Sequence, residues 1–286
     1  MPKKAAILTV HGMGRTKATY HHQLVSELQH RLSTLYDQLH FGSVYYQDVL
    51  QANEDRVWSA VGRRVKWDAL RQFLLFGFGD AAGLEAGKDG IDSDYALAQL
   101  RIARALFQAR AAMAGSGPLL ILAQSLGGQV TSNYFWDAQK AAAGERPRVG
   151  IWQDLGRVER EITGGRPLTA DETAFLQGSS LRVLMTTGCN IPIFVAAHAK
   201  QDILPIQPNR QHFEWHNYYD KDDVLGWPLA DLSPQYGEVV TDHPVNAGSG
   251  MIGWLLKSWN PMSHTQYWAD DEVLEPLEQT LRSLLA

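Results

Sequence analysis

The sequence predicts an α/β protein with a mostly parallel central sheet flanked by helices and a helical, cap-like insertion. Three observations carry this. Short apolar runs rich in β-branched or aromatic residues alternate with longer segments of helical periodicity, the pattern of strands joined by helical crossovers. After the second run, about forty residues precede the next helix, too many for a plain connection. No Pro/Ser-rich linker, low-complexity tract or repeat period divides the chain. With 286 residues, 45% hydrophobic and 20% charged, the chain can bury a full core unaided. A single domain over residues 1–286, carrying an insertion at 50–92, is the expected organisation.

The first strand is expected at residues 5–10, followed by a helix in which Leu24, Val25, Leu28, Leu32 and Leu35 share one face. Residues 44–49 read as the second strand. The insertion follows, with large apolar groups at Phe73, Leu74, Leu75, Phe76 and Phe78, read as a cap helix packed on the sheet domain rather than a membrane-lying surface. A helix at 95–113 has Ser93 or Asp94 as its N-cap, apolar Leu97, Leu100, Ala103 and Phe107, and Gly115 as its stop. Further strands are expected at 118–123, 181–187, about 213–219 and near 238–241.

The third strand leads into the chemistry. Ala123-Gln124-Ser125-Leu126-Gly127-Gly128 ends an apolar strand and opens a helical segment at 130–138. A serine at the apex of such a turn sits in a strained backbone, needs small residues two positions either side, and holds its hydroxyl clear of the sheet. Ala123 and Gly127 supply those small residues, alanine standing where glycine is usual. Ser125 is the predicted nucleophile. Acyl transfer puts negative charge on the former carbonyl oxygen, which two backbone N–H groups commonly hold. The Leu126 N–H is one candidate and the Met13 N–H, in the loop Val10-His11-Gly12-Met13-Gly14, is the other. His11 reads as a brace for this loop.

The serine needs a histidine base, and the histidine a carboxylate to fix its tautomer. The family resemblance drawn below implies the chain order Ser, acid, His, which removes His11, His21, His22, His30 and His40. His264, on a loop ahead of the final helix, is the predicted base, with His198, His212, His216 and His243 as alternatives. The acid is expected in FEWHNYYDKDDVLGWPL: Asp222, followed by Val224 and Leu225 at the spacing the same resemblance implies, with Asp223 as the alternative and Asp202 as a weaker rival.

Other classes fare worse. A net charge of −5 and a pI near 6.0 leave no electrostatic footprint for nucleic acid or an anionic membrane surface. The basic group Arg63, Arg64 and Lys66, interleaved with Trp58, Trp67 and Leu70, reads as a solvated helix face. The single cysteine, Cys189, cannot form an intramolecular disulfide and reads as a buried thiol. There is no HExxH and no GxxxxGK[ST] loop, so no metal or other cofactor is expected. The run at 5–10 is too short for a signal peptide, and no stretch approaches the roughly 18–20 apolar residues of a membrane span. A soluble, cytoplasmic protein with no integral membrane association is expected.

Together, VHGMG, AQSLGG, WHNYYDKDDVLGWPL and SHTQYW resemble α/β-hydrolases of the lipase and carboxylesterase kind, in an order that covers most of the chain. The resemblance implies the α/β-hydrolase fold, cleavage of a small-molecule acyl ester with the acyl chain length left open, and a two-donor oxyanion hole. Position by position it assigns Ser125, His264 and either Asp222 or Asp223 as the triad, with Met13 and Leu126 as donors. The first two strands usual in that family have no counterpart here. A thioesterase, phospholipase or acyltransferase would use the same triad, and a non-catalytic binding protein could keep the same fold.

Overall fold

The computed structural model describes residues 1–62, 68–85, 87–88, 90–115, 117–208, 212–246 and 267–286. In chain order these form β1 (Ala5–Val10), α1 (His22–Leu32), β2 (Leu39–Val44), α2 (Gln47–Val61), α3 (Asp68–Glu85), α4 (Asp94–Ala112), β3 (Leu119–Gln124), α5 (Leu126–Ala142), α6 (Leu155–Thr163) and α7 (Ala170–Leu176). They continue as β4 (Leu181–Thr187), α8 (Ile191–Val195), β5 (Glu214–Asp220), α9 (Pro234–Val239), β6 (Val240–Val245) and α10 (Asp271–Leu285).

The six strands make one sheet in the order β2-β1-β3-β4-β5-β6, and every pairing is parallel. Apolar residues on both sides of each inner strand explain this, because a parallel sheet carries helices on both faces. Along β1, Ala6, Leu8 and Val10 face a core that also contains Leu106, Ala109 and Val130 of α4 and α5. Ala5 and Ile7 face the opposite core, shared with Leu24, Leu28 and Leu32 of α1 and Val273, Leu277 and Leu281 of α10. Local signals set the helix ends: the Ser93 hydroxyl accepts from the Ala96 N–H to start α4, and Gly115, at φ +99°, follows its end.

The second strand differs from the expectation at 44–49. Leu39–Val44 pairs residue for residue with Ala5–Val10, and helix begins at Gln47. The chain past Val44 has no strand left to pair with, because β1 ends at Val10, and the Tyr46 N–H goes instead to His11 Nε2. Gly42 hides the strand from a propensity reading, and it packs closely on β1: an added Cβ would stand 2.5 Å from Leu8 Cδ2. The last strand also lies later than expected, because Ser233 caps and Pro234 opens a short helix that runs to Val239.

The insertion is a helical hairpin, α2 and α3. Phe76 is buried, whereas Leu74 and Phe78 are exposed. Arg63, Arg64, Lys66 and Trp67 lie outside the described residues. Among the described residues no helix is long and apolar enough to cross a membrane.

The strand order places one position apart from the rest. From β1 the chain goes to one side for β2 and then to the other for β3, so the sheet's topological switch lies between β1 and β3. In open parallel sheets this is where the crossovers part and a crevice opens beyond the carboxyl ends of the strands. The loop 11–15 and the Ser125 turn leave those two ends.

Candidate active site

Ser125 occupies the turn between β3 and α5 with φ +51° and ψ −124°, a conformation that a side chain disfavours. The surrounding structure holds it there. The Ser125 N–H donates to the Thr187 carbonyl at 2.8 Å, and the Ser125 carbonyl accepts from the Gly128 N–H at 2.9 Å. Its hydroxyl does not cap α5. Ser125 is fully buried, and among the described residues its Oγ has no hydrogen-bond partner.

The small residues around it answer to close packing. An added Cβ at Gly127 would stand 2.5 Å from the His11 carbonyl oxygen and 2.6 Å from that of Val10. At Gly12 it would stand 2.9 Å from Ser125 Cβ, and at Gly128 2.7 Å from Cys189 Sγ. The first turn of α5 is therefore pressed against the end of β1, and glycine is what lets it fit. Ala123 is fully buried, paired with Val10 on one side and Thr186 on the other. Burial pushes the Cys189 thiol up to about 12, which suits a packing residue and not a nucleophile.

Beyond the strand ends lies a cavity of about 390 Å³ whose walls include Gly12, Met13, Tyr20, Gln124, Ser125 and Trp268. Met13 and Ser125 therefore share one cavity, while Leu126 is buried with its N–H at the first position of α5. Neither the Met13 nor the Leu126 N–H is given to a protein acceptor among the described residues. The cavity is framed by residues tied to the sheet. Trp268 Nε1 donates to Thr187 Oγ1 at 3.1 Å, and Tyr20 Oη donates to the Thr9 and Val44 carbonyls at 2.8 and 3.0 Å.

His11 braces the loop. Its Nδ1 lies 2.7 Å from the Gly12 carbonyl oxygen, and its Nε2 accepts from the Tyr46 N–H at 3.1 Å. Those partners fix a neutral ring protonated at Nδ1. Tyr46 stacks on the ring at 4.0 Å and donates its hydroxyl to the His11 carbonyl at 2.8 Å. Burial, opposed in part by the Gly12 hydrogen bond, takes the imidazole down to about 4. With both nitrogens committed, His11 has none for a serine.

The two acid candidates part company. Asp222 is exposed, its backbone N–H donating to Asp220 Oδ1 at 2.9 Å. Asp223 is buried: Oδ1 accepts from the Leu225 N–H at 3.0 Å and Oδ2 from the Tyr267 hydroxyl at 2.8 Å. Tyr267 in turn accepts the Asp220 N–H at 2.9 Å, and burial raises its phenol. Burial, with the neighbouring carboxylates Asp222, Asp223 and Asp270, also raises the Asp220 carboxyl. Gly226 permits this packing, since a Cβ there would lie 2.8 Å from Asp223 Oδ2. His264 lies outside the described residues. Of the other histidines, His216 Nδ1 lies 3.0 Å from His243 Nε2 across β5 and β6, His243 stacks on Tyr218, and His198 and His212 are remote in sequence from every cavity wall named above. Asp202 ends a single helical turn, Lys200–Asp202, and is exposed.

Three positioning groups escaped the sequence reading. Tyr267 could have been noticed as the residue three after His264, within the same short motif. Tyr46 and Asp80, which hold His11 and Gly14, carry no local signal, because their partners are 35 and 66 residues away. Among the described residues no group of three or more His, Cys, Asp or Glu side chains could hold a metal ion. No known protein-family model matches the chain, and no curated protein matches it.

Proposed function

We propose that the chain is a serine hydrolase of the α/β-hydrolase fold that cleaves carboxylic esters through an acyl-enzyme. The observation that carries the reading is Ser125: a buried serine whose hydroxyl has no partner among the described residues, held at positive φ between a strand and a helix, on the wall of a cavity at the sheet's switch point. Such strain is retained where the surrounding structure over-determines it, and reacting groups are where it concentrates. A cavity of about 390 Å³ suits a small acyl ester.

Asp223 is the acid in this reading and Asp222 is not, because a carboxylate that orients a base must itself be buried and fixed. His264 is the base. Tyr267 holds Asp223, and the next residue, Trp268, lines the cavity of Ser125. The described residues that follow His264 in sequence therefore lie at the acid and at the cavity of Ser125, which supports the choice of base.

His264 takes the proton of Ser125 Oγ as the oxygen attacks the acyl carbonyl. The carbonyl π electrons move onto oxygen, where the Met13 and Leu126 N–H groups stabilise the charge. As the tetrahedral species collapses, the carbon–oxygen bond to the alcohol breaks and His264 returns the proton to the leaving alcohol. Water, deprotonated by His264, then attacks the acyl-enzyme, and Ser125 leaves with the proton. Neither step needs a cofactor.

A fluorophosphonate probe should label the native protein on Ser125, and Ser125→Ala should abolish both labelling and the hydrolysis of p-nitrophenyl esters. Undiminished esterase activity in Ser125→Ala would sink the proposal. A panel of esters of increasing chain length, run beside a thioester and an amide, assigns the substrate class.

A further inference from the structure

Three consecutive residues of the loop after β1 are gripped by the α2–α3 hairpin, and the grip centres on a buried carboxylate. The Gly14 N–H donates to Asp80 Oδ2 at 2.7 Å. Asp80 is on α3, is fully buried, and accepts at Oδ1 from Gln47 Nε2 at 3.1 Å. Met13 packs against the same helix, where an added Cβ at Gly77 would stand 2.7 Å from Met13 Sδ. Arg15 pairs with Asp55 of α2 and lies over the Phe76 ring at 4.6 Å from its centroid.

A second carboxyl completes the cluster. Glu54 of α2 is buried, with its Oε2 3.3 Å from Gln47 Nε2, and it hydrogen-bonds to Asp80. Two carboxyls in contact away from water cannot both ionise, so they share a proton. Glu54 holds it, pushed up to about 9 by burial first and then by the hydrogen bond and charge of Asp80. Burial raises the Asp80 carboxyl as well, and hydrogen bonds with Glu54, the Gly14 N–H and the Gln47 amide oppose that and favour its anion. Facing this pair are Asp55 on α2, Arg15 in the loop and the phenol of Tyr46.

We infer that Asp80 is a positioning residue: through the Gly14 N–H it sets the orientation of the Met13 peptide that meets the oxyanion, so that the α2–α3 hairpin is a fixed strut of the catalytic apparatus. This rests on the reading of Met13 as an oxyanion donor. The Gly14 N–H is consumed by Asp80, which leaves the Met13 N–H as the loop donor free to meet substrate. An anionic acceptor holds an N–H more strongly than a neutral one, which accounts for a carboxylate at a site where burial penalises it.

The test compares the wild type with Asp80→Leu, Asp80→Asn and Glu54→Gln, reading amide hydrogen exchange over residues 11–16 and ester hydrolysis on each. Asp80→Leu should speed exchange of the loop and lower kcat about 10- to 100-fold, short of the 10²–10³ for complete loss of a donor, with KM within about 2-fold. Asp80→Asn, which keeps an acceptor for Gly14 but not the charge, should fall between Asp80→Leu and wild type in both. The wild type should lose kcat as pH rises through about 9, when Glu54 ionises beside Asp80, and Glu54→Gln should remove that loss. A folded Asp80→Leu with unchanged exchange and kcat overturns the inference, as does a change in KM alone. Should Asp80→Leu fail to fold, an alkaline limb identical in wild type and Glu54→Gln overturns it. If no ester is turned over, the exchange measurement still decides the tether, and it is the esterase reading that has failed.

Discussion

Replacing Ser125 with alanine should stabilise the protein while removing its nucleophile. The Ser125 hydroxyl is buried, and among the described residues it has no partner. A buried polar group left unpaired costs about 1–3 kcal/mol, and deleting the oxygen removes that cost while keeping the Cβ and the turn. Ser125→Gly tests a second component. It relieves the strain of a side chain at φ +51°, about 1–3 kcal/mol, against about 0.5–1 kcal/mol for the added freedom of glycine in the unfolded chain. For a chain of this size each kcal/mol moves Tm by about 2 °C. Thermal unfolding at neutral pH should therefore place Ser125→Ala about 2–6 °C above wild type, with Ser125→Gly at or above Ser125→Ala. A Tm for Ser125→Ala below that of wild type would show that the hydroxyl makes a stabilising bond, as to the base of the proposed triad, and the argument from an unsatisfied hydroxyl would fall while the triad stood. Ser125→Gly melting well below Ser125→Ala would refute the strain component alone.

Gly127→Ala should cost about 1–3 kcal/mol in chemical denaturation, because its Cβ would press on the His11 and Val10 carbonyl oxygens, and neither can rotate aside. The same displacement of the loop should slow fluorophosphonate labelling at least about tenfold; normal labelling would show that the β1–α5 contact does not position the site. His11 has a folded pKa of about 4, below its unfolded value, so its contribution to stability is present above pH 6.5 and lost as pH falls towards 4. That contribution is on the order of 3 kcal/mol, and a pH series of denaturation curves should show the slope in wild type and not in His11→Asn. Asp223→Asn should lower kcat by about 10³–10⁴ while Asp222→Asn stays within about 2-fold; the reverse order would assign the acid to the exposed aspartate.

Much of this protein is legible in its sequence because the informative signals are local. Apolar runs at 5–10 and 181–187 are strands, since their β-branched and apolar residues suit a surface buried on both faces. The helix from Asp94 follows from Ser93 and Gly115, and the turn at Ser125 from the small residues at 123 and 127. Each of those signals is complete within a few residues. What the tertiary structure alone decided depends on partners far along the chain. The second strand lies at Leu39–Val44 because β1 supplies its hydrogen bonds there and ends before Tyr46, which overrides the β-rich stretch that follows. Of two adjacent aspartates, Asp223 is buried because Tyr267, 44 residues later, meets it with a hydroxyl, whereas the neighbouring Asp222 is left in solvent. Asp80 reaches Gly14 across 66 residues only once the insertion folds back over the sheet's switch point. The sequence by itself determined which backbone conformations were favoured and where a serine would be strained; the packing of distant segments decided which polar groups were buried beside it, and burial is what gives such groups their chemistry.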